Sequence, residues 1–184
     1  MSAIIDEIFD LFARHGASGY GEDLSLERHM LQSAALAESL GAPPPVVVAA
    51  LLHDIGYFLH ADTGAVVHPG QDFAHEALGA AWLSRAFDPA VTAPIALHVE
   101  AKRYLCAVEP GYLDQLSEAS RIGLAVQGGV MSRAEVAAFA ANPAFETALL
   151  LRRCDDQGKD VSLQVRSMEQ YRPLLVASAR ADSR

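Results

Sequence analysis

The stretch Val46-Val47-Val48-Ala49-Ala50-Leu51-Leu52-His53-Asp54-Ile55-Gly56-Tyr57-Phe58-Leu59 is apolar around nearly the whole circumference of a helix. Such a run reads as a helix buried on every side. His53 and Asp54 are out of place in it. Burying an imidazole and a carboxylate together is costly unless something compensates them. A lone buried Asp takes up a proton rather than stay charged. A metal cation is the economical compensation, and the chain supplies further donors at wide intervals: His29 before the run, then His75, His98 and Asp155 after it.

Helical spacing extends outward from this run in both directions. Ile4, Ile5, Ile8, Leu11 and Phe12 form an apolar stripe that ends near Gly16, and a helix over about 24–40 stops at Gly41. Pro43, Pro44 and Pro45 open the buried helix, since proline is tolerated in a first turn. Further helices are expected over about 72–86, after Pro89 (carrying His98 and Lys102), over about 112–127, after Ser132 and after Pro143. Ser132 with Glu135 three positions later has the spacing of a capping box. Val161 to Val165 is the one short strand candidate. The expected class is all-α, in one domain over residues 1–184 with its core at about 20–160 and the terminal helices packed on it.

Composition narrows the function. The net charge is −9, with three Lys/Arg against twelve Asp/Glu in residues 1–90 and eleven of each in residues 91–184. That balance speaks against nucleic acid, whose phosphates need basic surface. No apolar run reaches the roughly 20 unbroken residues of a membrane span, and no basic segment precedes an apolar one at the start. Cys106 and Cys154 form no paired motif and read as reduced thiols. The expectation is a cytoplasmic protein with no membrane or nucleic-acid partner. Lys102, Arg103, Arg121, Arg152 and Arg153 either receive a small anion or form solvated surface.

The ordered donors His29, His53-Asp54, His75, His98 and Asp155 are all nitrogen or oxygen ligands, which suit iron, manganese or magnesium. Four of them (His29, His53, Asp54, Asp155) suffice for one ion. His75 and His98 add a second, with Asp54 bridging the two ions through its two oxygens. Dinuclear centres of this kind are about 3.5–4 Å across. His15, His60 and His68 stand outside the set. His15 reads as a helix-end residue and His68 as a loop residue, and His60 lies seven positions after His53.

This donor series resembles the HD-domain superfamily in its dinuclear form. Most of that superfamily are phosphohydrolases. A smaller branch are mixed-valent di-iron oxygenases, which include enzymes that cleave the carbon–phosphorus bond of hydroxylated aminoalkylphosphonates. The local motifs resemble that branch, above all its glycine-forming 2-amino-1-hydroxyethylphosphonate dioxygenases. Tyr20-Gly21-Glu22 is similar to the branch's Tyr-x-Gly-Glu with one residue fewer, implying Tyr20 on one iron until substrate displaces it and Glu22 on a substrate amine. His98-Val99-Glu100-Ala101-Lys102-Arg103-Tyr104-Leu105 resembles His-x-x-x-Lys-Arg-Tyr-Leu. Ser117 to Arg121 resembles Ser-x-Ala-Ser-Arg, Gln127-Gly128-Gly129 matches Gln-Gly-Gly, and Arg152 to Lys159 resembles the segment around the last ligand.

The resemblance implies an HD-domain helical bundle with two irons, Fe(II) and Fe(III), in its core. Manganese or magnesium is the alternative loading. His29, His53, Asp54, His75, His98 and Asp155 would be the ligands, with Asp54 and Tyr20 in catalytic roles. Lys102, Ser120, Gln127 and Arg152 would clamp a phosphonate and Glu22 would hold a substrate amine, while Tyr57, one turn after His53, should point toward the site and shape the substrate pocket. The implied reaction uses O2 to cleave the C–P bond of a 1-hydroxy-2-aminoalkylphosphonate, giving phosphate and a carboxylate such as glycine. The alternatives are a metal-dependent phosphohydrolase acting on a small phosphate ester or nucleotide, and a non-catalytic binding module. In one place the chain departs from the pattern: the branch's His-Asp-x-Gly-His becomes His53-Asp54-Ile55-Gly56-Tyr57.

Overall fold

A computed structural model describes residues 3–19, 24–64 and 71–180. The elements in order are α1 (Ala3–His15), α2 (Leu26–Ser39), α3 (Pro44–Leu52), α4 (Ile55–Asp62), α5 (His75–Leu83), α6 (Pro89–Val108), α7 (Tyr112–Gln115), α8 (Glu118–Val126), α9 (Arg133–Ala140), α10 (Phe145–Gln157) and α11 (Met168–Ser178). The described residues contain no strand. Two isolated bridges, Gly19 with Ser25 and Phe87 with Ala179, are the only β contacts among them. Val161–Val165 is irregular chain. Its carbonyls are used singly, Val161 and Leu163 each accepting from the Arg28 guanidinium at 2.8 and 3.1 Å, so no ladder forms.

α3 is the centre of the bundle. Every residue from Val46 to Leu52 is buried, and α2, α6, α10 and α11 all pack on it. Removing each such Val or Leu side chain from water is worth about 1.5–3 kcal/mol, so the run stabilises the fold wherever it finds apolar cover on all sides. Pro44–Asp62 has the length and hydropathy of a membrane-crossing segment, yet 67% of it is buried inside the protein. The amphipathic α1 lays Ile4, Ile5, Ile8, Leu11 and Phe12 into the core, against α4 and α11.

Two helices expected to be continuous are broken. The apolar run divides at His53-Asp54, where Asp54 takes φ −101° and ψ 11° and α4 begins. That is the sparsely populated bridge region in which many active-site residues sit, and it turns both side chains inward. Residues 112–127 divide at Ser117, an extended residue whose hydroxyl accepts the Ser120 N–H and so starts α8 afresh. The expected capping box at Ser132 and Glu135 is present, and Ser167 with Gln170 forms a second at α11.

Two glycines set the spacing of α4 against α5. A Cβ on Gly56 would lie 2.0 Å from the His75 carbonyl oxygen, and one on Gly79 would lie 3.2 Å from the Gly56 nitrogen. The two helices therefore meet backbone to backbone, which carries His75 up to Asp54. Immediately before His75, Ala74 has φ 50°, a left-handed conformation that costs a non-glycine residue roughly 1–2 kcal/mol. The Asp72 carboxylate accepts the Ala74 N–H at 3.0 Å and holds this turn.

Candidate metal centre and its cavity

Four helices and one helix break bring the six donors together. His29 comes from α2, His53 and Asp54 from the α3–α4 break, His75 from α5, His98 from α6 and Asp155 from α10. All six are buried, none exposed beyond 5%.

The imidazoles are oriented alike. Nδ1 of His29, His53 and His98 lies 3.0, 2.9 and 2.7 Å from the carbonyl oxygens of Gly158, Ala50 and Ile95 respectively. A carbonyl can only accept, so each Nδ1 carries a proton, and in the neutral ring Nε2 presents its lone pair. His75 Nδ1 lies 3.3 Å from the Glu76 carboxylate. Nitrogens held outward in this way are the usual support of metal-ligating histidines.

The inward nitrogens converge in pairs. His29 Nε2 is 3.2 Å from His53 Nε2, and His75 Nε2 is 3.2 Å from His98 Nε2. Two lone pairs so placed repel unless a cation lies between them. Ligand atoms ~2.1 Å from one ion sit roughly 3.0–3.4 Å from each other, and these pairs have that spacing. Asp54 spans the two pairs. Its Oδ1 is 3.3 Å from His75 Nε2 and its Oδ2 is 3.4 Å from His53 Nε2. Asp155 Oδ1 joins the first pair, 3.3 Å from His29 Nε2. Asp54 Oδ2 and Asp155 Oδ1 are buried without a hydrogen-bond partner among the described residues. Orphaned carboxylate oxygens facing imidazole lone pairs are the donor set of a cation. Two groups, His29–His53–Asp54 and Asp54–His75–His98, each have the geometry to hold one.

The charges agree with that reading. Burial would raise the Asp54 carboxyl, but His53 and His75 hold it well below the carboxylate range. Burial would likewise raise Asp155, and Arg152 with His29 and His53 hold it down. Burial opposes a charge on His53, yet Asp54 and Asp155 beside it lift its pKa to about 9. Without a metal, a proton on His53 does part of a metal's work. Burial, reinforced by His75 and His53, pushes His98 down to about 3, so it stays neutral. Metal uptake must then displace the His53 proton. Affinity for Mn2+ is expected to rise with pH from neutrality to about 9 and to level off above it. Titrating metal-free protein at several pH values checks this, and an affinity that ignores pH over that range would refute it.

A cavity of about 160 Å3 opens on the donors. Its walls include Tyr57, His75, His98, Lys102, Ser120, Gln127, Arg152 and Asp155. Lys102, one turn beyond His98, is only 4% exposed, and its ammonium donates to Gln127 Oε1 at 2.5 Å. Burial and the nearby Arg152 lower its pKa to about 8. Tyr57 lies over His75 at a tilt of 30° with ring centres 4.5 Å apart, and meets Phe73 edge-on at 5.2 Å. Burial first, then Asp54, raises its hydroxyl pKa, so it is neutral. Tyr20, Glu22 and His68 lie outside the described residues.

Arg152 differs from the open phosphonate fork expected of it. Its Nη1 donates to Asp155 Oδ2 at 2.7 Å, its Nε to the Tyr112 hydroxyl at 3.1 Å and its Nη2 to Ser120 Oγ at 3.4 Å. Nη2 also donates to Asp156, and the Tyr112 hydroxyl donates to Asp156 Oδ2 at 2.5 Å. The guanidinium ties the last carboxylate donor to the cavity wall, with one Nη1 N–H outside these hydrogen bonds. Gln127 Oε1 accepts from Lys102, which leaves its amide N–H groups to donate, as expected of a clamp residue. Sequence reasoning passed over Tyr112 and Asp156. Asp156 was visible as a second acid beside Asp155 and at i,i+4 from Arg152, and Tyr112 carried no spacing signal.

The comparisons with known proteins fit this geometry. The HD domain model matches residues 26–122. The chain is 44% identical to hydroxymethylphosphonate dioxygenase of Gimesia maris over 91% of this chain and 84% of that protein. It is 38% identical to 1-hydroxy-2-(trimethylamino)ethylphosphonate dioxygenase (glycine-betaine-forming) of Leisingera caerulea, over 94% of this chain and 88% of that one.

Proposed function

The chain belongs to the HD-domain family, and from that premise we propose that it is an oxygenase that uses O2 to cleave the C–P bond of a small 1-hydroxyphosphonate at a di-iron centre. The observation that carries this reading is the opening of one cavity onto both halves of the donor cluster and onto two buried cations, Lys102 and Arg152. A buried ammonium facing a metal pair is repelled unless an anion lies between them. A phosphonate dianion supplies that anion.

The chain's residues bind and orient. The Lys102 ammonium and the remaining Nη1 N–H of Arg152 take the charge of the phosphonate, and the Gln127 amide and Ser120 hydroxyl fix its rotation. The neutral Tyr57 hydroxyl and the His75 ring bound the carbon end. Seated in this way, the substrate turns carbon 1 and its hydroxyl toward Asp54 and the four imidazoles. The irons those residues would hold supply Lewis acidity toward the hydroxyl and the redox capacity to use O2. Asp54 and Asp155 offset their charge. The balance closes without an outside reductant: hydroxymethylphosphonate and one O2 become formate and phosphate, with one oxygen atom entering each product.

The substituent on carbon 1 is the finer part of the proposal. Tyr57 is bulkier than the histidine of the branch pattern and stands at the carbon end, which supports hydroxymethylphosphonate as the preferred substrate. The glycine-forming reading, with an amine-bearing substrate, rests on Glu22. The test is phosphate release from hydroxymethylphosphonate and from 2-amino-1-hydroxyethylphosphonate, each with and without air. Oxygen-dependent release is expected from both compounds, with the higher kcat/KM for the first. Release that persists without oxygen, or activity confined to phosphate esters with Mn2+ or Mg2+, would make the protein a phosphohydrolase.

Lys102→Met is expected to raise KM roughly 10- to 100-fold, the loss of a hydrogen bond to a charged group, while metal content stays unchanged. Steady-state kinetics with metal analysis measure both. An unaltered KM would remove Lys102 from the binding site.

A further inference from the structure

Ser120 sits on the cavity wall, in the first turn of α8. Its hydroxyl oxygen receives two cationic donors, Arg152 Nη2 at 3.4 Å from along the cavity wall and Lys159 Nζ at 3.3 Å. A serine hydroxyl has two acceptor lone pairs and one proton to donate. With both lone pairs engaged, the proton is left to point away from Arg152 and Lys159. The residue is 8% exposed, and it lines the cavity. Lys159 is anchored by a second hydroxyl: its Nζ also donates to Ser117 Oγ at 3.1 Å. Ser117 in turn is fixed as the N-cap of α8, accepting the Ser120 N–H at 3.3 Å.

We infer that Lys159 is a positioning residue which, together with Arg152, fixes Ser120 as a one-way hydrogen-bond donor to an anionic oxygen in the cavity. This rests on the phosphonate reading above and deepens it. A hydroxyl free to rotate can donate to an anion or turn its lone pairs on it. A hydroxyl whose lone pairs are occupied can only donate. Two positive charges behind the oxygen also polarise its O–H bond, which strengthens donation to an anion. The site is thus ready for an oxyanion before one arrives, and no reorientation of Ser120 is needed on binding.

The test is binding rather than turnover, so that it stands apart from the fate of the oxygenase reading. Methylphosphonate has the phosphonate group but no 1-hydroxyl. Its affinity for metal-loaded protein is measured by calorimetry for the wild type, Ser120→Ala, Lys159→Met, Lys159→Arg and the double variant Ser120→Ala/Lys159→Met. Circular dichroism and metal content establish that each variant is folded and loaded. Ser120→Ala and Lys159→Met are each expected to weaken binding about tenfold. The double variant should bind no worse than Ser120→Ala alone, because Lys159 acts through that hydroxyl. Lys159→Arg should keep most of the affinity. If the two losses multiply, Lys159 acts on the anion as a charge at a distance and the inference fails. It fails also if Lys159→Met binds like the wild type. If Lys159→Met does not fold, Lys159→Gln takes its place in the same cycle. A wild type that binds methylphosphonate but cleaves no 1-hydroxyphosphonate would overturn the oxygenase reading while leaving this inference standing.

Discussion

Asp54→Ala is expected to abolish turnover and to empty both halves of the metal centre. Asp54 is the one donor that faces all four inward imidazole nitrogens, through Oδ1 for His75 and His98 and through Oδ2 for His53 and His29. On the two-ion reading its loss takes a ligand and a negative charge from each ion at once. No other carboxylate in the cluster reaches the His75–His98 pair. Losing a shared ligand removes several kcal/mol of stabilisation, a rate decrease on the order of a thousandfold or more. Asp54→Asn preserves the volume and the helix break but presents an uncharged amide. It should fold and still bind far less metal than the wild type. Metal analysis of both variants alongside phosphate release checks this. A variant that keeps two ions and a substantial rate would show that Asp54 does not bridge.

Gly56→Ala is expected to destabilise the fold and to damage only one half of the centre. The added Cβ would lie 2.0 Å from the His75 carbonyl oxygen and 2.7 Å from its carbonyl carbon. Both are backbone atoms, so α4 and α5 must separate. Overpacking of this kind costs up to about 3 kcal/mol, which for a chain of this size lowers Tm by roughly 6–12 °C. The displaced element carries His75, whose Nε2 lies 3.3 Å from Asp54 Oδ1. His29, His53 and Asp155 belong to α2, the α3–α4 break and α10, and they stay in place. The variant should therefore approach one ion per chain. Calorimetry and metal analysis together test this, and a wild-type Tm with full loading would contradict the backbone contact.

The fold class was legible in the sequence because α3 announces itself. A helix with no polar face has to be surrounded, and the remaining helices keep ordinary amphipathic spacing. The donors were legible for a related reason, since histidine and aspartate in apolar surroundings need compensation. The break at His53-Asp54 was hidden, because the apolar pattern runs on through it and the turn is only one residue deep. The division of 112–127 was hidden as well. Ser117 caps α8 from the middle of a stretch whose composition remains helical. Val161 to Val165 has the alternation of a strand but no partner chain to pair with. The use made of Arg152 depends on Tyr112, some forty positions earlier, and on Asp156, one turn on. The i,i+4 spacing of Arg152 and Asp156 is written along α10, but the Tyr112 contact leaves no mark in local sequence, because the meeting of α7 and α10 is a tertiary event.

The account rests on two cations divided by Asp54. The direct measurement is anomalous diffraction at the iron edge from crystals of the iron-loaded protein. Two peaks are expected about 3.5–4 Å apart, one among His29, His53 and Asp155 and the other between His75 and His98, with an oxygen of Asp54 on each. A single peak, or none among these side chains, would contradict it.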